Sequence, residues 1–268
     1  MSVPAPVVIF THRKTLWQYR RLLLALAGRD IRARYRQSFL GVYWSVLNPL
    51  LQTAVYAVVL TKVLHVPSET VPFAVLYFSG VMYWNFFTTA VTGAMGSVTT
   101  QVNLLEKHRF PIAVLPLASI VARSLDFAIS AVVLVVLCSW YGVALAPTAW
   151  AALPLLVVAG AAAVGAGLLT AGLHTLYRDV GHLVNLSFTL GFFLTPIIYD
   201  VVAFPPRYRF WLLLNPVAAT IHGTRLALFA GTVPPLEDVL PGTLVAIAVL
   251  VIGVASFRRL QATFTEVL

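Results

Sequence analysis

Charge is what this sequence has least of. Only 10% of its 268 residues are Asp, Glu, Lys or Arg, while 60% are hydrophobic. A water-soluble domain carries about a quarter charged residues, so this chain cannot cover a water-facing surface. The few charges are also unevenly spread, with none in residues 37–61, 70–105, 127–177 or 239–257. The longest of these stretches has room for two membrane spans and a turn, at about 20 residues per span. Cysteine is almost missing: Cys138 is the only one and sits in an apolar run, which excludes a disulfide framework and a cysteine-based metal cluster. The lysines are three (Lys14, Lys62 and Lys107), and none follows the glycine-rich loop that cradles phosphates. The chain is therefore not expected to hydrolyse ATP by that route. The motifs His-Glu-x-x-His and Gly-x-Ser-x-Gly are missing as well, and of the few acids only Asp126 and Asp179 fall near the membrane. No catalytic residue and no metal ligand is assigned. Residues 1–10 are neutral and too short for a cleavable signal, so the first span itself is expected to direct insertion.

What the chain does have is positive charge at one end and long apolar runs. Net charge is +9, and eight of the eighteen basic residues lie in the first 36 positions, with Asp30 the one acid there. In a soluble protein that excess would point to nucleic acid. Clustered ahead of the first apolar run, it is instead the positive-inside signature of a cytoplasmic N-terminus, and nucleic acid is not an expected partner. Apolar runs at 39–64, 73–99, 115–140, 150–173, from 183 to Pro196, and 240–257 predict an all-α integral membrane protein with about six transmembrane helices. Residues 1–268 then form one transmembrane domain with both termini cytoplasmic. Residues 13–36 read as an amphipathic helix lying on the membrane. At 100° per residue Leu24, Ala27, Ile31 and Tyr35 share a stripe, with Arg21, Arg29, Arg32 and Arg36 roughly opposite. Arg20 and Arg34 break that pattern, and a basic flank that merely enforces topology fits the same residues.

The segment between the last two spans is unusual. It carries Pro196, Pro205, Pro206, Pro216, Pro234, Pro235 and Pro241, yet stays mostly apolar. Its apolar pieces, 210–214 and 217–229, are each too short to cross ~30 Å of hydrocarbon. They predict re-entrant half-helices, since broken backbone at membrane depth survives only against protein or a water-filled cavity. An external loop lying on the lipid surface is the alternative. Ala159, Ala163, Gly167 and Ala171 place small residues every fourth position, a stripe that predicts close helix packing within the chain. Arg123 and Asp126 are spaced to share one face of the third span and to neutralise each other. Aromatics crowd the first, second and fifth spans. Interfacial belts explain many of them and remain the simpler reading for any one residue, but Tyr56 in mid-span is less easily explained that way, and an aromatic-lined path would suit a glycan.

Four segments, taken in order, carry a resemblance. The first is Arg29-Asp30-Ile31-Arg32-Ala33-Arg34-Tyr35-Arg36-Gln37-Ser38-Phe39-Leu40-Gly41 running into Trp44 and Pro49. The second is Asn103-Leu104-Leu105-Glu106-Lys107-His108-Arg109-Phe110-Pro111 ahead of Leu115-Pro116. The third is Tyr177-Arg178-Asp179 leading to Thr195-Pro196-Ile197-Ile198-Tyr199, and the last is Leu213-Leu214-Asn215-Pro216 followed by Arg225. Along nearly the whole chain this resembles the membrane subunit of an ABC exporter for polysaccharides (O-antigen, capsule or teichoic acid).

The resemblance implies a homodimer in the inner membrane, bound to two copies of a separate ATPase that holds ATP and Mg, with no cofactor in this chain. The cargo it implies is a lipid-linked polysaccharide, O-antigen foremost. It assigns Arg29, Asp30, Arg32, Arg34, Tyr35 and Arg36 to the cytoplasmic interface where substrate is admitted. Leu104, Leu105, Glu106, Lys107, His108, Arg109, Phe110 and Pro111, in a 101–111 loop, would receive the ATPase stroke. Residues 196–238, with Pro196, Asn215, Pro216 and Arg225, would form a re-entrant external gate. Tyr56, Tyr83, Trp84, Phe192 and Tyr199 would line the glycan path. Two rival readings remain: the same architecture exporting a drug or lipid, and a membrane-embedded enzyme of lipid-linked glycan metabolism. The enzyme predicts an external acid or histidine cluster, and Glu69, Asp200, Glu237 and Asp238 are scattered in sequence.

Overall fold

The computed structural model describes residues 17–36, 41, 43–63, 65, 71–107 and 110–264, and among them there is no strand. Among the described residues, α1 (Arg20–Tyr35) is followed by α2 (Tyr43–Val58), which a π-helical turn extends through Val63. Next come α3 (Phe73–Ser97), the short α4 (Val102–Lys107), α5 (Val114–Trp140) and α6 (Ala152–Leu176). The chain continues with α7 (Val180–Leu194), the two short helices α8 (Pro206–Leu213) and α9 (Pro216–Arg225), and α10 (Leu236–Leu260). Among the described residues, four stretches are long and apolar enough to cross a membrane: Tyr43–Val63, Val114–Trp140, Pro147–Leu176 and Leu236–Thr263. At 1.5 Å per residue the shortest of them reaches ~31 Å, about the thickness of the hydrocarbon layer.

Helix α3 is the axle of the bundle. It packs against α2, α5, α6 and α9, and most of its residues are buried. It also carries several hydroxyl side chains, and the structure shows how they are tolerated. The hydroxyls of Ser79, Thr88, Thr89, Thr92 and Ser97 donate to carbonyls one turn back, at 2.6–2.9 Å, so these five donors do not face apolar side chains unpaired. Helix α7 is the opposite case. Its 15 residues reach about 22 Å and none of them is buried.

Two glycines set how closely α6 and α10 approach. A Cβ on Gly253 would run into the Gly165 carbonyl, and one on Gly165 would come within 2.5 Å of the Leu250 nitrogen. The stripe of small residues on α6 is buried inside the chain: a Cβ on Gly167 would lie 3.0 Å from Ala94 and 3.1 Å from Ile120. That packing is intramolecular, as its spacing predicts.

Helix boundaries follow local chemistry. Both α8 and α9 begin with proline at the first position, where the missing N–H costs nothing. The Asn215 side chain caps α9 by accepting from the Val217 N–H at 3.0 Å. The π-helical turn that prolongs α9, Leu226–Ala230, stops at Gly231, whose φ of 68° is the left-handed conformation that glycine adopts without strain. Almost all of α9 is buried, whereas Phe210 and Trp211 on α8 are exposed.

Candidate functional site

At one end of the bundle α1 lies across the first turns of α5. Leu26 and Ala27 are buried against Phe110, Val114, Leu115 and Ala118, with Leu104 and Leu105 closing the same cluster. The predicted stripe is buried against protein in part: Ala27 and Ile31 join this cluster, whereas Leu24 is 62% exposed. Residues 101–107 are not an open loop either. A 3₁₀ turn, Thr99–Gln101, runs straight into α4, and the Arg29 guanidinium donates to the Gln101 side-chain carbonyl. Arg29 and Asp30 are 3.5 Å apart, and Arg32 and Arg36 are exposed. Of the residues assigned above, His108 and Arg109, and the side chains of Tyr35, Glu106 and Lys107, lie outside the described residues. Leu104, Leu105, Phe110 and Pro111 join α1 to the start of α5, so α1 and the segment after α3 form one packed unit.

Midway along the bundle, α2, α3 and α7 enclose an aromatic cleft of about 520 Å³ lined by Tyr56, Tyr77, Trp84, Phe188, Phe192 and Phe193 among others. Tyr56 stacks on Tyr77 at 4.8 Å, and Trp84 meets Phe188 and Phe192 edge-on at 6.1 and 6.3 Å. A side chain on Gly191 would come within 2.9 Å of the Trp84 ring, so glycine keeps α7 close to α3 there. Three of the five predicted path aromatics therefore converge here and two do not. Tyr83 is buried against Phe127 and its phenol oxygen accepts from Thr224 at 3.1 Å, tying α3 to α9. Tyr199 packs on Phe204 beyond the end of α7. Tyr77 and Phe188 were missed. Their signal was periodicity: Tyr77 and Trp84 are seven apart on α3, and Phe188 and Phe192 four apart on α7.

At the other end of the bundle the broken backbone is held by one guanidinium. Arg225, 4% exposed at the end of α9, donates from Nη1 to the Tyr199 carbonyl and from Nη2 to the carbonyls of Leu76 and Ile197, each at 2.9 Å. Its Nε donates to the Ser79 hydroxyl at 3.3 Å. Gly80 gives it room, since a Cβ there would lie 2.9 Å from Nη2. The Asn215 amide donates to the Thr195 hydroxyl at 2.9 Å, linking the head of α9 to the residue before Pro196. Pro196, Asn215, Pro216 and Arg225 thus lie in one unit. Sequence reasoning missed its third tie: His222 on α9 has Nδ1 3.6 Å from Asp200 and Nε2 3.6 Å from Asp238 at the head of α10. The imidazole beside it holds the Asp200 carboxyl at about 2, with desolvation opposing and the Arg225 charge assisting.

Comparison with known proteins decides what these parts belong to. The ABC-2 type transporter family matches residues 21–229, from α1 through the turn after α9. The chain belongs to this family. It is 32% identical over 263 residues to the O-antigen export system permease protein RfbA of Myxococcus xanthus, covering 94% of this chain and 97% of that protein. A Klebsiella pneumoniae protein of the same name is 27% identical over 248 residues, with 92% and 95% covered. The polysialic acid transport protein KpsM of Escherichia coli is 22% identical over 251 residues, with 90% and 95% covered.

One more site in this ABC-2 chain lies between the packed end and the cleft. Arg34 reaches from α1 to Asp126 on α5 at 2.5 Å, and Arg123 approaches the same carboxylate at 3.9 Å. The intrahelical pair expected from sequence is therefore a triad, and its third member is the arginine that broke the amphipathic pattern. The three side chains are 21–24% exposed and face a cavity of about 370 Å³ that also touches Trp44, Asn48, Gln52, Asn85 and Phe86.

Proposed function

We propose that this chain is the channel-forming membrane subunit of an ATP-driven exporter that moves a lipid-linked polysaccharide, O-antigen foremost, across the inner membrane. The observation that carries the reading is end-to-end similarity to O-antigen export permeases, in a family of transport subunits. The aromatic cleft supports a glycan over a drug, because sugars offer C–H faces to aromatic rings while their hydroxyls reach polar neighbours such as Gln52 and Thr88. The chain carries no phosphate-binding loop. Its energy then comes from a partner, read as two ATP-binding subunits that hold ATP and Mg, gripping a homodimer of this chain.

In this reading the chain crosses six times. To the four apolar stretches are added α3, whose serine and threonine hydroxyls are satisfied within the helix, and α7, completed by the backbone held at Thr195–Tyr199. Both termini are cytoplasmic, which places the basic α1 at the leaflet where anionic lipid attracts each Lys or Arg by about 1 kcal/mol. ATP binding pushes on residues 104–111. Because Leu104, Leu105 and Phe110 pack on α1 and the start of α5, the push moves the interfacial helix and α5 together. The re-entrant unit around α8 and α9, residues 196–238, is the external gate, and Tyr56, Trp84 and Phe192 give the polymer weak, repeated contacts between the two ends.

The test is a mild-detergent pull-down of the tagged chain from native membranes, read by mass spectrometry and ATPase assay. A stoichiometric ATP-binding subunit with vanadate-sensitive hydrolysis is the expected result. Recovery of the chain alone at every detergent strength overturns the reading.

A further inference from the structure

A side-chain amide shut away from water without hydrogen bonds is expensive, so folded proteins hold few of them. Gln261 carries one. It opens the 3₁₀ turn that follows α10, Gln261–Thr263, and is 1% exposed. Among the described residues neither its Oε1 nor its Nε2 has a hydrogen-bond partner. Its surroundings are apolar. The buried face of α10 runs through Ala246, Gly253 and Phe257 and continues through Gln261 and Phe264, in steps of seven, four, four and three. Phe257 and Phe264 meet edge-on at 5.8 Å, and both pack in one cluster with Val98, Ile112, Ala113 and Ala171. The amide, on the same face between the two rings, therefore borders the head of α5. That head is short of partners as well. Helix α5 has no side-chain cap, and among the described residues the N–H groups of Ile112 and Ala113 find no acceptor, although both residues are buried. The preceding segment is clasped from two sides, since Leu105 of α4 packs both in this cluster and in the one beneath α1.

We infer that Gln261 is a positioning residue for the transport stroke: its amide is unpaired in this conformation and closes on the backbone at the head of α5 when α4 and that head shift. Oε1 then accepts from the N–H of Ile112 or Ala113 and caps the helix. An unpaired amide raises the free energy of the resting arrangement, and a hydrogen bond in an apolar setting lowers that of the shifted one. Both contributions favour the shift. Helix α10 carries it onward, because it is seated on α6 at Gly165 and Gly253 and meets α9 at Gly242, where a Cβ would lie 2.5 Å from that of Ala219. The push itself rests on the export reading; the unpaired amide does not.

The experiment compares the wild-type chain with Gln261→Met, an unbranched apolar side chain of similar length. In detergent the melting temperature of the variant should rise by about 2–4 °C, since no amide is left to bury. In the complex with the co-purified ATP-binding subunit, vanadate-sensitive hydrolysis should fall roughly three- to tenfold, the worth of one neutral hydrogen bond. A glutamine with a merely structural role would move both readouts in the same direction. Hydrogen exchange over residues 110–115 of the wild-type complex should slow at least about threefold on vanadate trapping, and this arm decides the matter if the variant does not give monodisperse protein. A melting temperature that fails to rise shows that the amide is already satisfied and overturns the assignment. Unchanged hydrolysis, or exchange that trapping does not slow, overturns it too. Recovery of the chain without an ATPase removes the export reading and the stroke with it, whereas any of those results with the ATPase present removes the role of Gln261 alone.

Discussion

The two ends of this bundle each bury arginine, and they do it differently. At the α9 end Arg225 is enclosed and spends its donors on backbone that helix geometry has left unpaired around Pro196. At the α1 end Arg34 and Arg123 keep about a quarter of their surface exposed and share one carboxylate beside a cavity. The first arrangement exchanges nothing without leaving carbonyls bare, so it is structural. The second is partly open, so a charge that loses its partner there stays within reach of water. Burial and partner type, more than the residue itself, separate a fixed clamp from a responsive site.

The largest expected effect breaks the clamp. Arg225→Met should destabilise the protein by about 3 kcal/mol or more, since two or three buried carbonyls lose their donors. Arg225→Lys should recover little, because an ammonium cannot reproduce the guanidinium's fork. Loss of the monodisperse peak in detergent, or a lowered melting temperature, reads this out. Gly80→Ala strikes the same clamp from α3, with a methyl 2.9 Å from Nη2 and 3.1 Å from the Ile197 Cα. Overpacking of that kind should cost roughly 1–3 kcal/mol, against no change for Gly160→Ala, whose added carbon meets nothing within 4 Å. If both glycine variants melt alike, the clamp is less rigid than described.

At the other end the effects shrink. Arg34→Gln should lower stability by about 1 kcal/mol, since Arg123 stays beside the carboxylate and the pair is partly open to solvent. Reversing the pair, with Arg34→Asp and Asp126→Arg together, should restore part of it in a double-mutant cycle. A loss as large as that of Arg225→Met would erase the contrast between the ends. The smallest effect is in pH. Asp200 is depressed from an ordinary 3.8 to about 2, chiefly by His222. Its contribution is complete above pH ~4 and is lost as pH falls toward 2. Asp200→Asn should lower the melting temperature from about pH 4 upward and flatten its fall below that, so that the two curves converge near pH 2. A curve of unaltered shape would show that the His222 contact contributes nothing.

Much of this was legible in the sequence because membrane solvation enforces it. Charge-free runs located α2, α3, α5, α6 and α10 to within a few residues, and prolines marked the starts of α8 and α9. Rotation about a helix axis was harder to read. Leu24 shares the apolar stripe of α1 with Ala27 and Ile31, yet only the latter two pack on protein. A hydrophobic stripe cannot distinguish protein from lipid as its partner. Arg34 looked like a defect in the pattern because its partner, Asp126, lies 92 residues away. Likewise Tyr83 and Tyr56 are both aromatic and mid-helix, and only packing shows that one faces α9 and the other the cleft. The helix at 102–107 was hidden because six residues are too few for periodicity to register.

The clamp on Arg225 also has a consequence for how the protein is made. Its acceptors on α3, Leu76 and Ser79, precede it by 149 and 146 positions. On a chain synthesised from its N-terminus, that half of the cage is in place long before the arginine leaves the ribosome. The guanidinium can therefore pass from interfacial water to waiting acceptors with no interval alone in hydrocarbon. Moving α8 and α9 ahead of α3 by circular permutation would reverse that order of birth, and would require an unprotected cation to wait for its host.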